Sequence, residues 1–92
     1  MKYRIRLSPL AEEHLEEWRK NGNPSVLRKI AGMFEELEEH PMIGTGKPER
    51  LKGELQGYWS RRITKADRMI YSIDGMEIIV CIVSMRGYYG DK

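Results

Sequence analysis

The segment Gly44–Tyr71 has the sequence GTGKPERLKGELQGYWSRRITKADRMIY, in which runs of β-prone residues alternate with turn residues. This pattern predicts the sheet on which the fold is built. The predicted strands are Arg50–Leu55, Tyr58–Thr64 and Arg68–Ile73. Because successive side chains of a strand point to opposite faces, Ser60 and Arg62 should share one face of the middle strand, and Trp59 and Ile63 the other. We expect Trp59 to belong to the core.

The chain beyond this segment predicts a further hairpin. Asp74-Gly75 is a strong two-residue turn signal, and it leads into a last strand at Glu77–Ser84. The run Ile78–Val83 is apolar on both faces, which favours a central strand covered by helices. Cys81 lies in this run, and we expect it to be a buried, unreactive thiol.

The chain before this segment predicts one strand and two helices. Lys2–Leu7 alternates cations with apolar residues, the period of a half-buried strand. Ser8-Pro9 and Asn23-Pro24 each combine a capping residue with a proline at the first helical position. Asn21-Gly22 ends the first helix and Pro41 ends the second. With so short a connection, the two amphipathic helices should form an antiparallel hairpin.

The predicted order is β-α-α-β-β-β-β, an α+β fold in which a helical hairpin packs on one face of a twisted antiparallel sheet. The 92 residues predict a single domain, 1–92. No apolar run approaches the roughly 20 residues that span a bilayer, and no secretion signal is recognisable. We therefore expect a cytoplasmic protein that does not enter the membrane.

Charge is distributed unevenly along the chain, although the net charge is only +2. Residues 8–40 contain eight acidic and four basic residues, whereas residues 44–71 contain seven basic and three acidic ones. Such asymmetry favours an anionic partner that approaches one side of the molecule, and a basic sheet face suits an RNA backbone. The alternative is ordinary solvated charge, which composition alone does not distinguish.

One carboxylate, Glu49, lies among the cations of Lys47–Lys52. Cations around a fixed carboxylate suit a phosphodiester, because the cations hold the phosphate while the carboxylate takes a proton. His14, His40 and Cys81 are far apart in the sequence, so we expect no metal site and no cofactor. Without a metal ion, a phosphodiester of RNA can be cleaved when its own 2′-hydroxyl attacks the adjacent phosphate. Such a reaction requires a base, a cation and a proton donor.

Two stretches, Gly46–Thr64 and Asp67–Tyr71, resemble the core of the YoeB/Txe toxins, a branch of the RelE superfamily of bacterial toxin–antitoxin systems. The resemblance is nearly continuous there, includes the specific run Trp59–Arg62, and extends loosely over the whole chain. It implies a RelE-like microbial RNase fold. It also implies a toxin that enters the ribosomal A site and cleaves messenger RNA, leaving a 2′,3′-cyclic phosphate.

The resemblance also implies roles for single residues. Glu49 matches the family's general base, and Arg68 matches the arginine that stabilises the scissile phosphate. Tyr89 matches the terminal active-site tyrosine, while Tyr88 occupies the position of the family's general-acid histidine. A phenol with a pKa near 10 is a poorer acid at neutral pH than an imidazolium. The candidate RNA-binding cations are Lys47, Lys52, Arg61, Arg62, Lys65 and Arg86.

Partners are implied by the resemblance alone. They are a cognate antitoxin of the YefM/Axe type, messenger RNA with the ribosome, operator DNA bound through the antitoxin, and a second copy in a homodimer. Two other functions stay open: a ParE-like gyrase poison, and a catalytically weakened toxin that acts mainly as a corepressor. Glu49 could also simply pair with Lys47 or Lys52, and Arg61 and Arg62 with glutamates of the helices.

Overall fold

The computed structural model describes residues 2–21 and 23–83. Five strands form one sheet in the order β1-β5-β4-β3-β2, and two helices pack on it. The elements are β1 (Arg4–Leu7), α1 (Pro9–Asn21), α2 (Pro24–Glu39), β2 (Glu49–Arg50), a 3₁₀ turn (Gly53–Leu55), β3 (Tyr58–Arg62), β4 (Arg68–Asp74) and β5 (Glu77–Val83). The α+β class and the element order are confirmed. Neither described helix is long and apolar enough to cross a membrane.

The capping residues predicted for both helices are confirmed. Asn23 Oδ1 accepts hydrogen bonds from the backbone N–H groups of Ser25 and Val26 in the first turn of α2. Ser8 Oγ accepts from the N–H of Ala11 and donates to the carbonyl of Cys81 at 2.8 Å. The Ser8 hydroxyl therefore caps α1 and joins it to β5.

The sheet is mixed, whereas the sequence predicted an antiparallel one. β1 runs parallel to β5, with Arg4 opposite Glu77 and Leu7 opposite Val80. A parallel pair requires a crossover connection, and here the chain between the two strands includes both helices. The remaining pairs are antiparallel, and β5 lies between β1 and β4. The predicted interior position of the last strand is therefore confirmed.

The core lies between the helices and one face of the sheet. Its buried side chains come from both helices and from the strands, and they are Ala11, Ile30, Met33, Leu37, Ile63, Met69, Tyr71, Ile78, Val80 and Val83. Trp59 is half buried and packs against this cluster, as predicted. Ile63 belongs to the cluster, whereas its neighbour Arg62 is exposed, which matches the predicted assignment of these two residues to opposite faces.

The predicted strand Arg50–Leu55 is wrong. β2 contains only Glu49 and Arg50, and the chain then turns through Gly53, whose φ of 68° is incompatible with an extended strand. β3 likewise ends at Arg62, before Thr64. The hydroxyl of Thr64 accepts from the backbone N–H groups of Ala66 and Asp67, so this short loop has local hydrogen bonds in place of ladder bonds.

Candidate active site

A cleft of about 310 Å³ at the end of β3 brings together four of the ten residues that the sequence indicated for chemistry. It contains one carboxylate and four cations, together with a backbone segment at Gly46. Its lining residues are Lys29, Gly46, Lys47, Glu49, Arg62 and Arg68. Of the predicted site residues, Lys47, Glu49, Arg62 and Arg68 are therefore neighbours in space. Glu49 and Arg68 lie 19 positions apart in the sequence.

The register of the sheet explains how Glu49 and the arginines come together. Glu49 lies opposite Ser60 in the β2–β3 pair, and Arg62 lies opposite Arg68 in the β3–β4 pair. Residues directly opposite each other in an antiparallel pair point to the same face, and so do residues two apart in one strand. Glu49, Ser60, Arg62 and Arg68 therefore share one face, the face opposite the helices.

The segment that leads into β2 has an unusual backbone. Lys47 has a φ of 53°, in the left-handed region that residues other than glycine rarely adopt. Gly46, with a φ of 85°, precedes it, and a Cβ at Gly46 would lie 2.7 Å from the carbonyl oxygen of Arg62. The backbone N–H of Arg62 donates to the carbonyl of Gly46 at 2.8 Å. This close contact fixes Lys47 beside β3. Strained backbone of this kind is concentrated at functional sites.

Lys29 is the lining residue that the sequence analysis missed. Its ammonium group donates to the carbonyl of Ile63 at 2.9 Å, which holds the charge of an α2 residue at the end of β3. In the sequence Lys29 is one of several charged residues on the outer side of an amphipathic helix. No local pattern separates it from the others, because its place at the cleft depends on how α2 packs on the sheet.

Arg61 is a correction to the predicted RNA-binding set. Its side chain is completely buried, and its guanidinium donates to Glu36 Oε1 at 2.7 Å and to Tyr71 Oη at 3.2 Å. Arg61 therefore cannot contact RNA in this conformation. The alternative proposed from the sequence, an ion pair with a helix glutamate, is confirmed for this residue.

The other predicted cations are dispersed. Lys52 belongs to a second cleft of about 420 Å³, where the Arg50 guanidinium lies 5.8 Å from the centre of the Trp59 ring. Lys65 is exposed in the loop between β3 and β4. The remaining predicted site residues, Arg86, Tyr88 and Tyr89, lie outside the described residues.

The contacts of His14 and Cys81 are those of residues with a structural role. His14 Nδ1 accepts a hydrogen bond from the backbone N–H of Val83 at 3.1 Å, and burial lowers the pKa of this imidazole. For the half-buried Cys81 thiol, burial has the opposite effect and raises the pKa, so the thiol stays protonated at neutral pH. Within residues 2–21 and 23–83, no three His, Cys, Asp or Glu side chains are grouped so that they could hold a metal ion.

The fold is shared with solved bacterial toxins. A protein described as the YoeB/ParE toxin from Agrobacterium tumefaciens superposes with a TM-score of 0.82 at 31% identity, over 94% of this chain and 99% of that one. YoeB from Staphylococcus aureus has been solved as a dimer and in a heterotetrameric complex with YefM. Both structures match with a TM-score of 0.80 at 30% identity, over 94% of this chain and 99% of the matched chain. These matches define the class: a bacterial toxin of the YoeB type.

The family follows from the sequence comparison. The family model of the YoeB-like toxin of bacterial type II toxin–antitoxin systems matches residues 8–89. Toxin YoeB of Synechocystis is 36% identical over 72 residues, which cover 78% of this chain and 81% of that protein. The protein therefore belongs to the YoeB-like toxins of bacterial type II toxin–antitoxin systems.

Proposed function

We propose that this toxin is a ribosome-dependent endoribonuclease that cleaves messenger RNA in the A site without a metal ion. The observation that carries the proposal is the cleft in which a single carboxylate, Glu49, lies with Lys47, Arg62 and Arg68. Lys29 also lines this cleft, so one proton acceptor lies with four cations. Messenger RNA is translated in the cytoplasm, so the proposal includes a cytoplasmic location for this protein.

In the proposed reaction the Glu49 carboxylate takes the proton of an RNA 2′-hydroxyl. The 2′-oxygen bonds to the adjacent phosphorus, and the bond from that phosphorus to the 5′-oxygen of the next nucleotide breaks. The products are a 2′,3′-cyclic phosphate and a 5′-hydroxyl. A positioned general base typically contributes about 10²–10⁴-fold to such a rate.

The cations of the cleft act on the phosphate. Negative charge builds up on its oxygens in the transition state, and fixed donors aimed at that charge stabilise it more strongly than water does. Arg62 and Arg68 come from adjacent rigid strands, and Lys47 is fixed by the backbone contact at Gly46. The leaving 5′-oxygen takes its proton from Tyr88 or Tyr89, the donors predicted from the sequence.

The partners are proposed from the relatives. The S. aureus YoeB structures are described as a dimer and as a YoeB–YefM heterotetramer. We therefore propose a YefM-type antitoxin that neutralises this protein, and a homodimer. Repression of the operator through the antitoxin belongs to the same proposal.

A second function is favoured by one feature of the sequence. Tyr88 occupies the position of the family histidine, so a toxin with weak cleavage that acts mainly as an antitoxin-bound corepressor remains a candidate. The ParE-like alternative, inhibition of gyrase, requires no carboxylate in a cationic cleft. These alternatives differ in what the purified protein does to ribosomes and to gyrase.

The test is cleavage of a defined message on programmed ribosomes. We expect cuts at the A-site codon that carry cyclic-phosphate ends, and no cleavage of the same RNA without ribosomes. Glu49→Gln is the matched inactive control, because it keeps the shape of the side chain and removes the base. Inhibition of gyrase supercoiling with an intact message would indicate the ParE-like function, and an intact message with normal supercoiling would indicate the corepressor.

A further inference from the structure

Arg61 is the largest fully buried side chain among the described residues, and it is bonded to the loop that leads to the cleft. Nη2 donates to the carbonyls of His40 and Ile43 at 2.9 and 2.8 Å, and Nη1 donates to the carbonyl of Thr45 at 3.2 Å. With the bonds to Glu36 and Tyr71, all five N–H groups of the guanidinium are used. One side chain therefore satisfies three carbonyls of a segment that has no regular secondary structure.

Glu36 and Tyr71, the two side chains bonded to Arg61, bind the same loop. Tyr71 Oη donates to the carbonyl of Pro41 at 2.6 Å, and burial raises the pKa of this phenol, so it stays a donor. The Glu36 carboxylate accepts from the backbone N–H of Thr45 at 2.8 Å and from its hydroxyl at 2.6 Å. The loop is thus bonded to a helix and to two strands at once.

Apart from the buried Pro41, the loop is held by hydrogen bonds more than by apolar burial. Met42 and Ile43 are 52% and 62% exposed, so their side chains contribute little to docking. Arg61 donates to three partly buried carbonyls of the loop, and leaving such groups without a donor is costly. Removing the Arg61 guanidinium should therefore detach the loop before it affects the packing of the apolar core.

The loop that Arg61, Glu36 and Tyr71 bind, residues 40–46, ends at the cleft. Thr45 is followed directly by Gly46, whose carbonyl accepts from the N–H of Arg62, and then by Lys47 and the first residue of β2, Glu49. Arg61 and Arg62 are consecutive in β3, so Arg61 points to the loop and the core while Arg62 points to the cleft. The same strand thus holds the loop from one face and lines the cleft from the other.

We propose that Arg61 is a positioning residue, which sets the conformation of residues 40–46 and thereby the place of Lys47 and Glu49 in the cleft. Its effect on the reaction rests on the proposed function, whereas its effect on the loop does not. The substitution that tests it is Arg61→Lys, which keeps the charge but replaces five planar donors with three on one nitrogen. Arg4→Lys, on the exposed edge of β1, is the matched control.

The first measurement is amide hydrogen exchange in the complete chain. The amides of Thr45 and Arg62 report the loop directly, because one is bonded to Glu36 and the other to Gly46. We expect both to exchange at least about tenfold faster in Arg61→Lys, with β5 amides unchanged. Wild-type exchange at both amides would overturn the proposal, whatever the protein does to RNA.

The second measurement is cleavage on programmed ribosomes. A misplaced general base lowers kcat, so we expect a fall of about 10- to 100-fold with little change in KM, because Arg62 and Arg68 still hold the phosphate. Equal cleavage by Arg61→Lys and wild type, with a loosened loop, would overturn the catalytic part. Failure of wild type and Arg4→Lys to cleave would reject the proposed function alone, and hydrogen exchange would still decide the effect on the loop.

Thr45→Ala covers the case in which Arg61→Lys does not fold. Thr45 is exposed, and of its hydrogen bonds this change removes only the one from its hydroxyl to Glu36. We expect a smaller shift in the same direction, with faster exchange at the Thr45 amide and a several-fold lower kcat. Unchanged exchange and unchanged kcat would count against the positioning role.

Discussion

Arg62 of β3 and Arg68 of β4 lie directly opposite each other in the sheet, on the face that also carries Glu49. Two like charges in opposite positions destabilise an antiparallel pair. An anion between them reverses the sign of this effect, because each guanidinium can donate two parallel bonds to a phosphate. The arrangement is the one that the proposed phosphate site requires.

This relationship predicts opposite effects of one substitution on stability and on activity. Arg62→Gln removes half of the like-charge pair, so we expect the free energy of unfolding to rise by about 0.2–1 kcal/mol. Cleavage on programmed ribosomes should fall, since a phosphate ligand is lost. Thermal melts and cleavage assays on the same preparation measure both. A variant that is less stable than wild type would show that Arg62 has a structural role instead.

Glu49→Gln should abolish or steeply reduce cleavage and leave the fold intact. The amide cannot accept the 2′-hydroxyl proton, and a positioned base contributes about 10²–10⁴-fold. Glu49 is exposed at the start of a two-residue strand, so the melting temperature should stay close to that of wild type. Glu54→Gln, in the 3₁₀ turn, is the control and should cleave normally. Normal cleavage by Glu49→Gln would reduce Glu49 to a surface carboxylate.

Alternation along β3 allowed part of the site to be predicted from the sequence. The pattern places Ser60 and Arg62 on one face, and the structure confirms this. The same pattern places Arg61 on the face of Trp59 and Ile63, yet composition favoured Arg61 as an RNA ligand. The period of the strand was the better guide, because a residue on the core face must satisfy its charge internally.

Other features depend on tertiary contacts that no local pattern contains. The alternation in Lys2–Leu7 predicts a strand but not its partner. The parallel pairing of β1 with β5 depends on the path that the chain takes through the two helices. The end of β2 depends on the left-handed backbone of Gly53, in a run whose other residues suit a strand. Lys29 joins the cleft only through the packing of α2 on the sheet.

The proton donor is tested at Tyr88, which lies outside the described residues. Its position in the sequence matches the family histidine, so we expect Tyr88→Phe to slow single-turnover cleavage at neutral pH. Tyr88→His should accelerate cleavage and add a titration near pH ~6.5, the ordinary value for histidine. If Tyr88→Phe matches wild type while Tyr89→Phe does not, the donor is Tyr89.

Acid should release the loop at residues 40–46 before the sheet unfolds. Hydrogen bonds from the Thr45 hydroxyl and backbone, together with the Arg61 guanidinium, hold the pKa of Glu36 below its ordinary value of 4.5. A carboxyl whose pKa is lower in the folded state contributes stability above that ordinary value and loses it as the pH falls through the folded pKa. Exchange at the Thr45 amide should therefore accelerate below about pH 4.5, corrected for intrinsic exchange. In Glu36→Gln the acceleration should be absent, and its persistence there would assign the effect to another carboxyl.

Gly46→Ala should be far more damaging than the same change at a glycine in open space. A Cβ at Gly46 would lie 2.7 Å from Arg62 O and 2.8 Å from Met33 Cε, and φ is 85°. Gly75, in the turn between β4 and β5, has a φ of 62°, but a Cβ there would meet no atom within 4 Å, so Gly75→Ala isolates the backbone cost of about 1–2 kcal/mol. Gly46→Ala should exceed this cost, because the Arg62 backbone cannot move without shifting β3. It should also lower cleavage by displacing Lys47 and Glu49, whereas Gly75→Ala should not. Denaturant unfolding and cleavage assays on both variants make the comparison, and equal unfolding costs would show that the contact between Gly46 and Arg62 yields easily.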